Sequence, residues 1–99
     1  MVDAGCSLTD YYNGDITRTI PIGGKFSKEQ RVIYEIVLSA QKNAIKSAVT
    51  GSNSSTVHNV ALTILIEGLK EIGLLSGSTE EIIENQSYKH LYMHRTGHW

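Results

Sequence analysis

The stretch Val2-Asp3-Ala4-Gly5-Cys6-Ser7-Leu8-Thr9-Asp10-Tyr11-Tyr12-Asn13-Gly14-Asp15-Ile16-Thr17-Arg18-Thr19 decides how the chain is read. Up to Ser7 it alternates weakly between apolar and polar residues, and from about Tyr11 to Ile22 it carries the Tyr, Ile and Thr that suit strands. The two parts can pair as one β-hairpin with Asp3 and Asp15 at its ends, and the pairing decides where the aspartates point. If Asp3 lies opposite Asp15, then Gly5 faces Asn13, Ser7 faces Tyr11, and Leu8-Thr9-Asp10 forms a three-residue turn with both carboxylates on one face. A two-residue turn at Asn13-Gly14, itself a strong hairpin signal, would instead pair Asp15 with Tyr12, far from Asp3. The first register is the preferred one.

Beyond the hairpin the chain reads as mostly helical. Pro21 and Gly23-Gly24 end the strand region, because proline cannot donate to a ladder and paired glycines favour a turn. Ser27 followed by Gln30 is a capping-box pattern that opens a helix to about Val49, with Ile33, Ile36, Val37, Ala40, Ala44 and Ala48 on one stripe. Thr50 to Ser55 is a polar break. A second helix from about Thr56 to Ile72 places Val57, Val60, Ala61, Ile64, Leu65, Leu69 and Ile72 on one face and ends at Gly73. Ser78 with Glu81 repeats the capping pattern before a short helix around Glu80 to Glu84, and the tail from Tyr88 to Trp99 alternates loosely and is expected to be extended. The fold class is α+β.

Composition bounds the function. The 99 residues, 40% of them hydrophobic, suit one small domain. A net charge of -1 from 9 basic and 10 acidic residues offers no surplus to draw in nucleic acid or an anionic membrane. No apolar run is long enough to span a bilayer, and no leader-like segment opens the chain. One cysteine, Cys6, cannot form an internal disulfide, which favours a reducing, cytoplasmic setting, and a buried strand position is the expectation for it.

Hard divalent ions prefer carboxylate oxygen, and one added imidazole shifts the preference toward Mn, Fe, Co or Zn. Asp3, Asp15 and His98 would make such a mixed set. His94 and His98, four apart in Met93-His94-Arg95-Thr96-Gly97-His98-Trp99, would share a face in either a helix or a strand, and Gly97 argues against the helix. On spacing alone they read as two histidines on a half-exposed edge. His58 and His90 have no partner pattern and are read as ordinary surface or helix-face residues. Tyr11, Tyr12, Tyr88 and Tyr92 are read as packing residues, since no basic stripe accompanies them.

The runs Val2 to Cys6, Gly14 to Thr19, Gly24 to Ser27, Gln30 to Tyr34 and Met93-His94 through His98-Trp99 together resemble the Xaa-Pro aminopeptidases, in the methionine aminopeptidase and prolidase clan. The resemblance covers essentially all 99 residues in order. It implies part of the "pita-bread" catalytic domain, in which two divalent ions, usually Mn2+ with Zn2+ or Co2+ as alternatives, activate a bridging hydroxide. That hydroxide attacks the bond between the first residue of a peptide and a following proline. Carried over by position, Asp3 chelates one ion, Asp15 bridges both, His98 binds the other, and His94 lines the substrate pocket.

Two departures accompany the resemblance. The family spaces its first two aspartates eleven residues apart, whereas Asp3 and Asp15 are twelve apart, so that the added residue must be held in the turn or absorbed by a bulge. The family also completes its site with two glutamates and a further histidine beyond the His98 motif. Residues 1–99 are therefore expected to be a single partial domain, inactive alone, exposing an edge that favours a homo-oligomer. A noncatalytic peptidase-like module that binds a protein partner is the alternative.

Overall fold

A computed structural model describes residues 1–98; Trp99, the last residue of the tail read as extended, lies outside the described residues. Among the described residues the order is β1 (Val2–Ser7), β2 (Asn13–Arg18), α1 (Lys28–Ser47), α2 (Ser54–Glu71) and α3 (Thr79–Glu84), followed by one 3-10 turn over Ser87–His90. The fold is α+β, as the sequence predicts. The chain divides into two units, Met1–Gln30 and the remainder from Arg31.

The first unit is built on the antiparallel hairpin β1-β2. Its register corrects the preferred reading: Asp3 pairs with Thr17 and Gly5 with Asp15, in an unbroken ladder from Val2↔Arg18 to Ser7↔Asn13. A slide of two residues leaves every side chain on its own face, so the apolar pattern is silent between the two registers and the loop decides. The loop is Thr9-Asp10-Tyr11, closed by Tyr11 N–H donating to the Leu8 carbonyl at 3.0 Å and Leu8 N–H donating to the Tyr12 carbonyl at 2.8 Å. Tyr11 takes the left-handed conformation, φ 62°, that a three-residue hairpin loop requires at its last position. Both strands are exposed along their whole length, so Cys6 is exposed and not buried. Tyr11 and Tyr12 are exposed as well, and do not pack as expected.

Two of the three helices, α1 and α3, are capped by the residues the sequence marks, and α2 by one it does not. Ser27 N–H donates to Gln30 Oε1 at 3.0 Å and Gln30 N–H to Ser27 Oγ at 3.2 Å, the reciprocal pair that opens α1. Asn53 caps α2 by accepting from Thr56 N–H at 2.8 Å, which starts this helix two residues earlier than the expected Thr56. At its other end Gly73, φ 79°, donates to the Lys70 carbonyl while Leu74 donates to that of Leu69, which satisfies the last carbonyls. Ser78 and Glu81 complete the capping box of α3.

The second unit has its core on two sides of α2. On one side Ala61 meets Ala40 and Ala44 of α1, with Val57, Ile64 and Leu65 around them. Small residues let the two helices approach closely, and a Cβ on Gly68 would lie 2.6 Å from Ile36 Cγ2. On the other side Leu62 and Ile66 pack with Ile82 of α3, flanked by Leu75, Tyr88 and Tyr92. A single-stripe reading of α2 misses Leu62 and Ile66, because this helix is covered on more than one face. Conversely Ile33 and Val37 of the expected α1 stripe are exposed. The tail departs from an extended reading at its start, where Ser87–His90 turns as a 3-10 helix; residues 91–98 carry neither helix nor strand.

Candidate metal centre

The hairpin sets the geometry of the two carboxylates. Partners Asp3↔Thr17 and Gly5↔Asp15 are adjacent pairs of the same parity, so Asp3, Gly5, Asp15 and Thr17 share one sheet face, with the aspartates on the diagonal. Diagonal positions on an antiparallel pair lie roughly 7–8 Å apart at the backbone. The ladder has no bulge, so an added residue between the aspartates falls in the loop, where it leaves that face intact.

Two neighbours the sequence reading did not single out hold this arrangement. Thr17 Oγ1 donates to Asp3 Oδ1 at 3.0 Å, which fixes the orientation of that carboxylate. Gly5 leaves room for close strand approach beside Asp15, since a Cβ there would lie 2.5 Å from the Gly14 carbonyl oxygen. Thr17 was detectable in principle, because it lies two residues from Asp15 and therefore on the same face.

His94 and His98 belong to the second unit and lie on the irregular segment after Tyr92, both exposed. Thr96, midway between them, is tied to α2. Its backbone N–H donates to His58 Nδ1 at 3.3 Å, its Oγ1 lies 3.0 Å from the same nitrogen, and the Tyr92 hydroxyl lies 2.8 Å from Oγ1. The His58 and Tyr92 rings stack with centroids 6.0 Å apart at 25°. Burial, reinforced by the positive charge of Arg95, pulls the His58 pKa below its usual value. His58 thus lies on a helix face, one of the two placements expected, but is half-buried and bonded; its partner is 38 residues away, so no local pattern signals it.

Within neither unit, among the described residues, do three His, Cys, Asp or Glu side chains gather as a ready-made metal cluster. The first unit thus presents two carboxylates on one face of its hairpin, and the second carries two exposed imidazoles on a segment bonded to α2 through Thr96.

The chain belongs to metallopeptidase family M24, whose model matches residues 1–99. Among curated relatives, an Xaa-Pro aminopeptidase of Haemophilus influenzae is 46% identical over 99 residues, covering 100% of this chain and 23% of that protein. Among solved structures, the Pseudomonas aeruginosa aminopeptidase PepP matches with a TM-score of 0.90 and 44% identity, over 98% of this chain and 22% of that one. A Zn-substituted Escherichia coli aminopeptidase P in complex with product matches with a TM-score of 0.89 and 37% identity, over 98% of this chain and 22% of that one. The chain spans about a fifth of the length of the relatives it matches.

Proposed function

We propose that this chain supplies the first ligands of a metal-dependent Xaa-Pro aminopeptidase, as the N-terminal portion of a pita-bread catalytic domain. The observation that carries the reading is the shared face of Asp3 and Asp15, which sets two hard anionic ligands on the diagonal of one hairpin face. Asp3 and Asp15 would hold a pair of divalent ions together with His98, and Mn2+ suits this oxygen-rich set best, with Zn2+ or Co2+ as substitutes. When bound, such ions supply Lewis-acid charge that lowers the pKa of water and stabilises charge on the tetrahedral intermediate.

The chain's own residues prepare for this. Thr17 orients the Asp3 carboxylate, so one ligand is held before metal arrives. Asp15 brings a second carboxylate, which offsets part of the ions' charge. His94 lies four residues before His98 on one segment and is the residue we assign to the substrate pocket, facing a peptide whose second residue is proline. Among the described residues no helix is long and apolar enough to cross a membrane, and the near-neutral charge suits a peptide and not a nucleic acid. We place the protein in the cytoplasm. The fully exposed strands suit a homo-oligomer, which light scattering would test.

The reading is tested by assaying the natural full-length protein on Xaa-Pro and Xaa-Ala peptides before and after chelation. Selective release of the first residue from Xaa-Pro peptides, lost on chelation and restored by Mn2+, is the expected result. Chelator-insensitive hydrolysis would rule out the metal role.

A further inference from the structure

We infer that His58, on α2, is a positioning residue for the segment that carries His94 and His98, acting through Thr96. The inference rests on the metal-centre reading above and adds a residue that the ligand motifs do not include.

The segment from residue 91 to residue 98 has no helix or strand of its own to hold it. Thr96 stands two residues from each histidine, so the point that fixes Thr96 fixes both. Proton placement follows from a single bond. Because Thr96 N–H donates to His58 Nδ1, that nitrogen carries no proton and the ring is neutral, with its proton on Nε2. The Thr96 hydroxyl, 3.0 Å from the same unprotonated Nδ1, can bond to it only as a donor, so two Thr96 donors converge on one acceptor nitrogen. The hydroxyl oxygen is left to accept from the Tyr92 hydroxyl at 2.8 Å. The result is a directed chain in which Tyr92 donates to Thr96 and Thr96 donates twice to His58.

Both ends of this chain are anchored in the core. His58 lies one turn before Ala61 and Leu62, which are buried, and Tyr92 packs against Leu62, Ile66 and Ile82. The stacked rings of His58 and Tyr92 add a second contact between α2 and the segment. A ligand on irregular backbone gains its precision from such supports, and outer partners of metal ligands are worth about 10–100-fold in metal affinity or activity. Cationic His58 could accept neither bond from Thr96, and burial together with the charge of Arg95 disfavours that form.

The test uses the natural full-length protein with His58→Ala, His58→Asn, Thr96→Val and His98→Ala, and Mn2+ as the probe. His58→Ala should weaken Mn2+ binding about 10–100-fold and broaden the imidazole NMR signals of His94 and His98 in the metal-free protein. His58→Asn should restore most of the affinity, because Asn Oδ1 stands where Nδ1 stands and accepts from the same N–H. Thr96→Val, which keeps the N–H and loses the hydroxyl, should fall between, and it serves if His58→Ala does not fold. A folded His58→Ala protein with unchanged Mn2+ affinity and sharp signals, or a loss that Asn does not restore, would overturn the inference. His98→Ala separates the two levels: loss of binding there with none in His58→Ala sinks this inference alone, whereas unaltered binding in His98→Ala sinks the metal reading and this inference with it.

Discussion

The Thr17 hydroxyl donates to Asp3 Oδ1 at 3.0 Å across the hairpin, between direct cross-strand partners. A carboxylate on an exposed strand would otherwise rotate freely, and one bond from a β-branched neighbour with few rotamers narrows that freedom. The hairpin therefore presents Asp3 in a chosen orientation before any ligand is present.

Replacing Thr17 by Val removes the donor and keeps the shape. We expect Mn2+ affinity of the full-length protein to fall about 10–100-fold, with little change in unfolding midpoint because the pair is exposed. Thr17→Ser, which keeps the hydroxyl, should retain most of the affinity. Calorimetric titration of the three proteins checks this, and equal affinities for Val and Thr would count against an orienting role.

Gly5 faces Asp15 across the hairpin, and a methyl there would lie 2.5 Å from the Gly14 carbonyl oxygen. Backbone cannot yield as a side chain can, so Gly5→Ala should force the strands apart at a cost of about 1–3 kcal/mol and displace Asp15 from its diagonal with Asp3. Gly23→Ala, where a Cβ meets nothing within 4 Å, is the control and should stay within roughly 0.5 kcal/mol of the parent. Denaturant titration of both variants distinguishes them.

Much of this was legible in the sequence, for reasons that particular residues make plain. Ser27 with Gln30 and Ser78 with Glu81 mark two helix starts, because a cap is a local bond between residues three apart. The parity of Asp3 and Asp15 also survives the register correction, since a two-residue slide changes partners and not faces. The loop itself was less legible: nothing local says that Tyr11, and not Asp10, takes the last place in it. The second face of α2 was hidden as well, because Leu62 and Ile66 pack on an α3 that periodicity cannot place. His58 was invisible for the same reason, its partner lying 38 residues on.

Ile66 is fully buried at the centre of the cluster with Leu62 and Ile82, whereas Ile33 is 43% exposed. Ile66→Ala should cost about 2–5 kcal/mol through lost transfer energy and the cavity left behind. Ile33→Ala should cost much less, although the two side chains are chemically identical. Similar losses for the two would contradict the two-sided core.

The lowered pKa of His58 gives a signed pH dependence. Burial and Arg95 hold its folded value below the usual 6.5, so in the window between the two values the unfolded state binds the extra proton. Stability is therefore full above about pH 6.5 and falls as pH drops through that window, levelling off once the folded state also protonates. Comparing the parent with His58→Asn cancels the other histidines, and the Asn variant should show the shallower loss between neutral and mildly acid pH. An identical pH slope for the two would show that His58 does not carry it.

In the function proposed above, Asp15 binds metal from the hairpin face it shares with Asp3. Its most direct test is the bound-Mn2+ stoichiometry and affinity of the full-length protein against its Asp15→Asn variant, measured with matched circular dichroism. Asn, which keeps the size and loses the charge, should leave the fold intact and abolish tight Mn2+ binding together with cleavage of Xaa-Pro peptides. A folded Asp15→Asn protein that holds Mn2+ as tightly as the parent would contradict it.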